Sequence, residues 1–340
     1  MLAHVDMSDS WPSIPYVGSF QNGRSFPSEN PLEEAWQRLT RISTPGILDK
    51  LLTRHARTAD ADLREYIRVR TRQAHELRLA AQGASILTSP LMLYYCFLNL
   101  ARAFIAVHTG QPPARGRHGL RFQNAEALFD SSAAVESGTF QEFLVATTGE
   151  GFDRTRISLG EALKSIPEMW DTQSSEIGPS RVARVKVRAF MEGKGVYLDV
   201  DVPEVAAQFA SKWKELFPGL ESVAEFHENT TLRISRVAPN SLREVSDFCH
   251  QYLLPDLVHR DEPIWYLLRS DDRKNFDRAA FYISAMFMLS NVVRYHPDGL
   301  SRLARDGADS VWCLERFVRK AERFFPQLVY SLVIGSTAYF

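Results

Sequence analysis

The stretch that decides the fold runs from residue 92 to residue 119 and reads MLYYCFLNLARAFIAVHTGQPPARGRHG. Its first part is apolar enough for a buried helix, and Thr-Ser-Pro at 88–90 is a typical helix start. Yet Tyr95, Asn99 and Arg102 stand at positions i, i+4 and i+7, which share one helical face. A polar face on such an apolar helix indicates either a ligand site or a buried hydrogen-bond network.

A second apolar segment predicts the partner of this helix. Residues 279–293 read AAFYISAMFMLSNVV, which is shorter than the roughly 20 residues of a membrane-spanning helix, so we expect a core helix. Asn291 and Arg294 stand near its end, and the Pro after His296 stops it. Because both segments are too apolar to stand alone, we expect this helix to pack against the one over 88–108.

If the two helices pack together, their polar faces and the loop that follows the first helix would converge. The candidate binding residues are Tyr95, Asn99, Arg102, His118, Asn291 and Arg294. Two interpretations stay open. The six side chains form a structural network that pins the helices together, or they form a binding site.

Composition excludes several classes of protein. The 340 residues carry a net charge of −1, which is not the strongly basic balance of a dedicated DNA-binding protein. Of the 40 basic residues 32 are Arg, which suits phosphate and carboxylate contacts better than Lys. Cys96, Cys249 and Cys313 are widely spaced and form no disulfide framework, and the N-terminal stretch lacks an apolar signal segment. We therefore expect a cytoplasmic protein with no membrane partner.

The fold class predicted from the sequence is α+β, with a mainly helical core that is interrupted by a mixed α/β insert. Residues 1–30 lack periodicity and predict a loose N-terminal arm. Residues 31–120 predict the N-terminal helical part of the core, and 121–270 predict the insert. Residues 271–340 predict C-terminal helices that pack on the core.

Periodicity and turn residues place individual elements within these regions. Beyond the two core helices, helices are expected over 31–40, 44–56, 61–81, 159–166, 203–216 and 241–252. Strands are expected in a hairpin over 184–202 and over 230–238 and 263–270. Thr44 is predicted to cap the helix that starts at Pro45.

The segments LYYCFLNLARA, HGL and MLSNVVRYHP, in that order, resemble the YaaC-like family of bacterial proteins, over most of the chain from about residue 30. The first helix also resembles that of HEPN domains, which typically reads Arg-x-Tyr-Tyr-x-x-Phe-His-x-x-Arg-Ala and precedes a Gly and a His-x-Gly. The residues in step with that pattern are Tyr94, Tyr95, Arg102, Ala103, Gly110, His118 and Gly119. The resemblance implies a HEPN-like helical core.

Many HEPN proteins are ribonucleases in which an Arg and a His meet across a dimer. Here the matching positions hold Met92 and Asn99, and neither side chain can hold a charge or shuttle a proton at neutral pH. The resemblance therefore implies a non-catalytic module that binds RNA, a nucleotide or a protein partner. It also implies a homodimer and a role in antiviral defence or stress.

Two alternatives remain. One is an active, metal-independent endoribonuclease with a relocated site, in which His118 or His296 acts as acid or base and Arg102 or Arg294 binds phosphate. The other is a purely structural partner subunit.

No cofactor or metal is expected. His250 and His259 lie nine residues apart across Pro255, which matches no familiar zinc spacing. The Gly-Lys-Gly at 193–195 sits in a predicted hairpin, without the helix that a phosphate-binding loop requires.

Overall fold

A computed structural model gives the fold. It describes residues 14–15, 23–58, 60–114, 116–172, 177–178, 180–192, 195–201, 214, 224–227, 231–237, 253–258, 264–268, 276–306 and 308–340. The chain forms two compact units. The helical unit comprises Ser25–Ser180, Lys274–Ala338 and Phe340, and the sheet unit comprises Met1–Arg24, Arg181–Arg273 and Tyr339.

Apart from the single helical residue Lys214 in the sheet unit, the helices in the described part of the chain belong to the helical unit. They are α1 (Pro31–Ile42), α2 (Pro45–Arg54), α3 (Ala61–Ala81), α4 (Ser89–Thr109), α5 (Thr139–Thr148), α6 (Leu159–Ser165), α7 (Arg278–Tyr295), α8 (Pro297–Asp306) and α9 (Ala308–Ile334). Short 3₁₀ turns cover Leu128–Asp130 and Pro167–Met169.

Helix α4 is the centre of this unit, and it packs against α3, α7 and α9. The rings of Phe97 and Phe325 stack with centroids 4.0 Å apart, and those of Tyr94 and Phe287 approach to 5.3 Å. The predicted packing of the two apolar helices, α4 and α7, is thus confirmed. Helix α4 is also long and apolar enough to cross a membrane by length and composition, but it is mostly buried inside the structure, as a core helix is.

The arginines that line one side of α3 pair with neighbouring acids. Arg72 meets Glu76 at 2.9 Å and Arg68 meets Glu65 at 2.6 Å. All four side chains are more than half exposed. This row is therefore a solvated face, in which ion pairs contribute little to stability.

The described strands are β1 (Ile14–Pro15), β2 (Gly23–Ser25), β3 (Leu120–Gln123), β4 (Ser132–Val135), β5 (Arg156–Ser158), β6 (Val182–Glu192), β7 (Gly195–Asp201), β8 (Ala224–His227), β9 (Thr231–Val237), β10 (Leu253–Pro255), β11 (Trp265–Leu268) and β12 (Thr337–Tyr339). Outside β6, β7 and β9, the described strands have two to four residues each. In the helical unit, β3, β4 and β5 form a small antiparallel sheet, and β3 and β4 contact α7.

The sheet unit is antiparallel, with strand order β10-β11-β6-β7-β9-β8 and β1 on β6. Alternate residues such as Val185, Val187, Leu198 and Val200 are buried, which is the period-two pattern of a strand with one apolar face. The hairpin of β6 and β7 pairs Glu192 with Gly195. The predicted hairpin is therefore confirmed.

The α+β fold class is confirmed, as are the helices expected over 31–40, 44–56, 61–81 and 159–166 and the strands expected over 230–238 and 263–270. The helix expected over 203–216 lies outside the described residues apart from Lys214, which is helical, and the helix expected over 241–252 and most of the predicted arm over 1–30 also lie outside them.

Two details differ from expectation. Residues 121–180 belong to the helical unit, because α5 packs on α4 and α6 packs on α7, so the main segment of the sheet unit starts at Arg181 and not near residue 121. Thr44 stands before α2, but its hydroxyl makes no cap hydrogen bond. That hydroxyl donates to the carbonyl of Arg41 at 2.8 Å. Thr44 is thus the N-cap residue, as predicted, but it accepts hydrogen bonds from Ile47 N and Leu48 N through its backbone carbonyl only.

Candidate functional site

A cleft of about 510 Å³ opens where α4, α7 and the small sheet meet. This volume lies within the usual range for small-molecule sites. The cleft is lined by aromatic, cationic and small polar side chains. They are Leu91, Tyr94, Tyr95, His118, Leu120, Arg121, Phe122, Glu136, Phe287, Ser290, Asn291, Arg294 and Tyr295.

The loop that carries His118 is fixed to the start of α5. The His118 carbonyl accepts a hydrogen bond from Phe140 N at 2.9 Å. Gly119 has φ +80°, and a Cβ there would stand 2.9 Å from backbone atoms of Gly138 and Phe140. Only glycine tolerates that conformation and that approach. The His-Gly pair is therefore a backbone requirement that places the His118 ring.

The His118 ring lies against two tyrosines. Its Nδ1 is 2.7 Å from the Tyr94 hydroxyl, and the two rings stack with centroids 5.6 Å apart. Tyr95 meets the His118 ring edge-on at 5.8 Å. Tyr94 is only 3% exposed and His118 is half-buried, so the hydrogen bond between them joins the core to the wall of the cleft.

Beside the cleft, two arginines lie on α3 and α4. Arg70 donates to Asn99 Oδ1 at 3.2 Å, and its guanidinium lies 5.0 Å from the centre of the Tyr66 ring. Arg102 donates to the Gly116 carbonyl at 3.0 Å and to the Thr139 hydroxyl at 3.3 Å. Both arginines are half-buried. Their acceptors are neutral, so neither positive charge is compensated by these bonds.

The cations in and beside the cleft lie close enough to repel one another. Burial and the nearby charge of Arg70 lower the pKa of the Arg102 guanidinium. Burial, Arg102 and Arg294 lower the pKa of His118. In the part of the chain that the structure describes, no carboxylate forms an ion pair with Arg70, Arg102 or Arg294. We call Arg70, Arg102, His118 and Arg294 the cleft cluster.

The structure separates the six candidate binding residues into two groups. Tyr95, His118, Asn291 and Arg294 line the cleft. Asn99 and Arg102 do not line it. Asn99 is buried, and its amide nitrogen donates to the Tyr95 carbonyl at 2.9 Å.

The fourth candidate for a relocated catalytic site, His296, is exposed and follows the last residue of α7. It is absent from the residues that line the cleft. Arg294 is exposed as well, and its guanidinium lies 5.0 Å from the centre of the Tyr295 ring at the rim. Of the two candidate histidines, the structure therefore brings only His118 to the cleft.

Sequence reasoning did not include Arg70 among the candidates. The sequence did contain a signal for Arg70, because helical periodicity places it on a different face of α3 from Arg68 and Arg72. It shares its face with Tyr66 and Gln73 at i−4 and i+3, and it donates to Gln73 Oε1 at 3.0 Å.

The described residues contain no group of three or more His, Cys, Asp or Glu side chains that could hold a metal ion. His250 and His259, whose spacing matches no familiar zinc site, lie outside those residues.

Comparison with known proteins gives one match. Among curated proteins and among solved structures, nothing matches the chain. The family model described as YaaC-like Protein matches residues 28–333, which cover most of both compact units and all of the residues that line the cleft. The chain therefore belongs to the YaaC-like protein family.

Proposed function

We propose that this protein binds a phosphate-bearing ligand, RNA or a nucleotide, in the cleft between α4 and α7. The observation that carries the proposal is the cleft cluster. Besides burial, the charge of Arg70 lowers the pKa of Arg102, and the charges of Arg102 and Arg294 lower the pKa of His118, while no carboxylate pairs with the three arginines among the described residues. Holding like charges together is unfavourable, and an anion would relieve it.

The side chains around the cluster suit a nucleotide better than a simple ion. Tyr95 and Tyr295 offer aromatic faces on which a base could stack. Asn291 uses its amide nitrogen on the Phe287 carbonyl at 2.8 Å, and its amide oxygen accepts no hydrogen bond within the described residues. Arg294 stands at the rim, where a phosphate would enter.

We extend this to the cellular role as follows. The protein is a cytoplasmic, HEPN-like homodimer that binds its ligand without cleaving it and acts in an antiviral or stress system. Support for the absence of catalysis comes from Met92 and Asn99, which replace the residues that HEPN ribonucleases use. Asn99 is also buried and committed to Arg70, which suits a structural role for that position.

The direct test is binding of adenosine monophosphate and of a single-stranded RNA oligonucleotide, measured by calorimetry. Arg294→Ala should weaken binding about tenfold or more, since Arg294 lines the cleft and a charge-assisted hydrogen bond contributes about 1.5–3 kcal/mol. Arg70→Ala should weaken binding less, because Arg70 lies beside the cleft and acts through its charge alone. Arg72→Ala is the matched control, because it removes the same charge from the exposed side of α3. RNA binding should weaken steeply with salt, whereas nucleotide binding should not. No binding of either probe, or equal losses in all three variants, would contradict the proposal.

A ribonuclease is the second candidate, and one observation favours it. His118 lines the cleft with Arg294 at its side, and these are the residue types of metal-independent phosphodiester cleavage. Purified protein should leave single-stranded RNA intact if the first proposal holds. Cleavage that His118→Ala abolishes would favour the ribonuclease.

A further inference from the structure

The buried hydroxyl of Tyr94 makes one hydrogen bond among the described residues, and its partner is His118 Nδ1 at 2.7 Å. Burial raises the pKa of this hydroxyl far above its usual value, so it keeps its proton. A buried hydroxyl proton needs an acceptor, and Nδ1 is the one that is in reach. The arrangement that satisfies the hydroxyl has Tyr94 donating and Nδ1 accepting.

A neutral imidazole carries its proton on one nitrogen only. If Nδ1 accepts from Tyr94, the proton lies on Nε2, which has no partner within the described chain. His118 lines the cleft, so Nε2 is the nitrogen left for a ligand. The groups that face the ring from α4 are Tyr94, Tyr95 and Arg102, and Arg294 faces it from α7.

The opposite side of the cleft adds one acid to this environment. Glu136 lines the cleft together with Arg121, and the two form an ion pair at 3.0 Å. The carboxylate is thus already committed to a cation on its own sheet. The charges that act on His118 from α4 and α7 are both positive, and they favour its neutral form.

We infer that Tyr94 is a positioning residue that holds His118 as the neutral tautomer with its proton on Nε2, so that the cleft offers an anionic oxygen a hydrogen-bond donor. This inference deepens the proposed function and rests on it for the ligand. It also has a chemical consequence. A neutral Nε2–H nitrogen has no lone pair to act as a base, and it is too weak an acid to protonate a leaving oxygen.

Nitrogen-15 NMR of the histidine side chains tests the inference in the free protein. The His118 signals are identified by their loss in His118→Asn. We expect a protonated Nε2 and a hydrogen-bonded, unprotonated Nδ1. In Tyr94→Phe the Nδ1 resonance should move towards that of a nitrogen without a hydrogen bond, and the pKa of His118 should rise. Tyr95→Phe, which removes the neighbouring hydroxyl, should change neither.

A proton on Nδ1 in the wild-type protein would overturn the inference, and so would a Tyr94→Phe spectrum that matches the wild type. If Tyr94→Phe does not fold, the wild-type spectrum still decides between the two tautomers. Adding inorganic phosphate separates the two proposals. A shift of the Nε2 proton supports donation to an anion, whereas an Nε2–H tautomer that phosphate leaves unmoved overturns the binding role and keeps the positioning role.

Discussion

Two groups of cations in the helical unit differ in how their charges are balanced. Around Glu168, each cation has an acid. Arg278 pairs with the Glu168 carboxylate, and Lys320 and Arg316 both contact Asp171. The Arg278 and Glu168 side chains are 6% and 3% exposed, so this charge pair is fully desolvated. We call this group the Glu168 cluster.

The cleft cluster has the opposite balance. Arg70 and Arg102 donate to an amide, a hydroxyl and a carbonyl, and Arg294 lies beside a tyrosine ring. The comparison separates two roles of arginine within one unit, a structural ion pair and a charge without an acidic partner among the described residues. Where cation and carboxylate are buried together, the pair connects helices. Where the described residues group cations without an acid, we propose that the charge binds an anion from outside the chain.

The largest effect is expected from breaking the Glu168 cluster. Glu168→Gln keeps the shape of the side chain but removes the negative charge that pairs with the buried Arg278, and Tyr282 loses the carboxylate to which its hydroxyl donates at 2.7 Å. Removing one partner of a buried ion pair costs about 3–5 kcal/mol. Thermal unfolding followed by circular dichroism should therefore show a large fall in melting temperature.

Glu76→Gln is the control, because Glu76 forms an exposed ion pair with Arg72. Its effect should stay below about 1 kcal/mol. Equal effects of Glu76→Gln and Glu168→Gln would mean that the Glu168 cluster is not a structural element.

The second effect concerns the loop that carries His118. Gly119→Ala adds a Cβ that would stand 2.9 Å from the backbone of Gly138 and Phe140, at φ +80°. Gly83→Ala is the matched control, since Gly83 has φ +77° and nothing within 4 Å of its Cβ position. The control should cost about 1–2 kcal/mol for the left-handed conformation alone. In urea unfolding Gly119→Ala should cost clearly more, and similar values would show that the loop yields easily.

A smaller effect is expected from Arg102→Ala. The variant loses hydrogen bonds to Gly116 and Thr139, but it also relieves the repulsion between Arg102 and Arg70. We expect the stability to fall by less than about 1.5 kcal/mol, the upper end of the usual range for one hydrogen bond, because relief of the repulsion offsets part of the loss, while binding of adenosine monophosphate weakens. A fall as large as that of Glu168→Gln would instead make the cleft cluster a structural network.

The smallest effect is the dependence of stability on pH. Burial and nearby cations hold the pKa of His118 below its ordinary value of 6.5, so the unfolded chain takes up this proton first as the pH falls. Stability should be constant above about pH 7 and should decline from there towards the folded pKa. His108, whose pKa is lowered in the same direction, adds to the decline. His118→Asn should therefore flatten the profile between pH 7 and 5 without abolishing it.

Much of the helical unit could be predicted from the sequence, because a long apolar segment has few stable structures other than a buried helix. The pattern over 92–119 predicts α4, and AAFYISAMFMLSNVV predicts α7. The small sheet gave no clear signal, since β3, β4 and β5 are each three or four residues long. Such strands are set by what they pack against, and periodicity needs longer runs.

The candidate site was also predicted only in part. Helical phase placed Tyr95, Asn99 and Arg102 on one face of α4, but phase alone does not say how deep each residue lies. In the structure Tyr95 lines the cleft, whereas Asn99 and Arg102 turn towards α3 and α5. Arg70 on α3 donates to Asn99 on α4. Tertiary packing determines that α3 is the helix next to this face of α4, and helical phase does not reveal it.

The contact between Gly119 and Gly138 has a consequence for the history of the family. An ideal Cβ on Gly138 would stand 2.7 Å from Gly119 N, and one on Gly119 would stand 2.9 Å from Gly138 C. Neither position can accept a side chain while the other backbone stays where it is. Relatives should therefore keep both glycines or replace both together with a change in the loop. This covariation, read from aligned sequences, would identify the members that present a histidine in the same place.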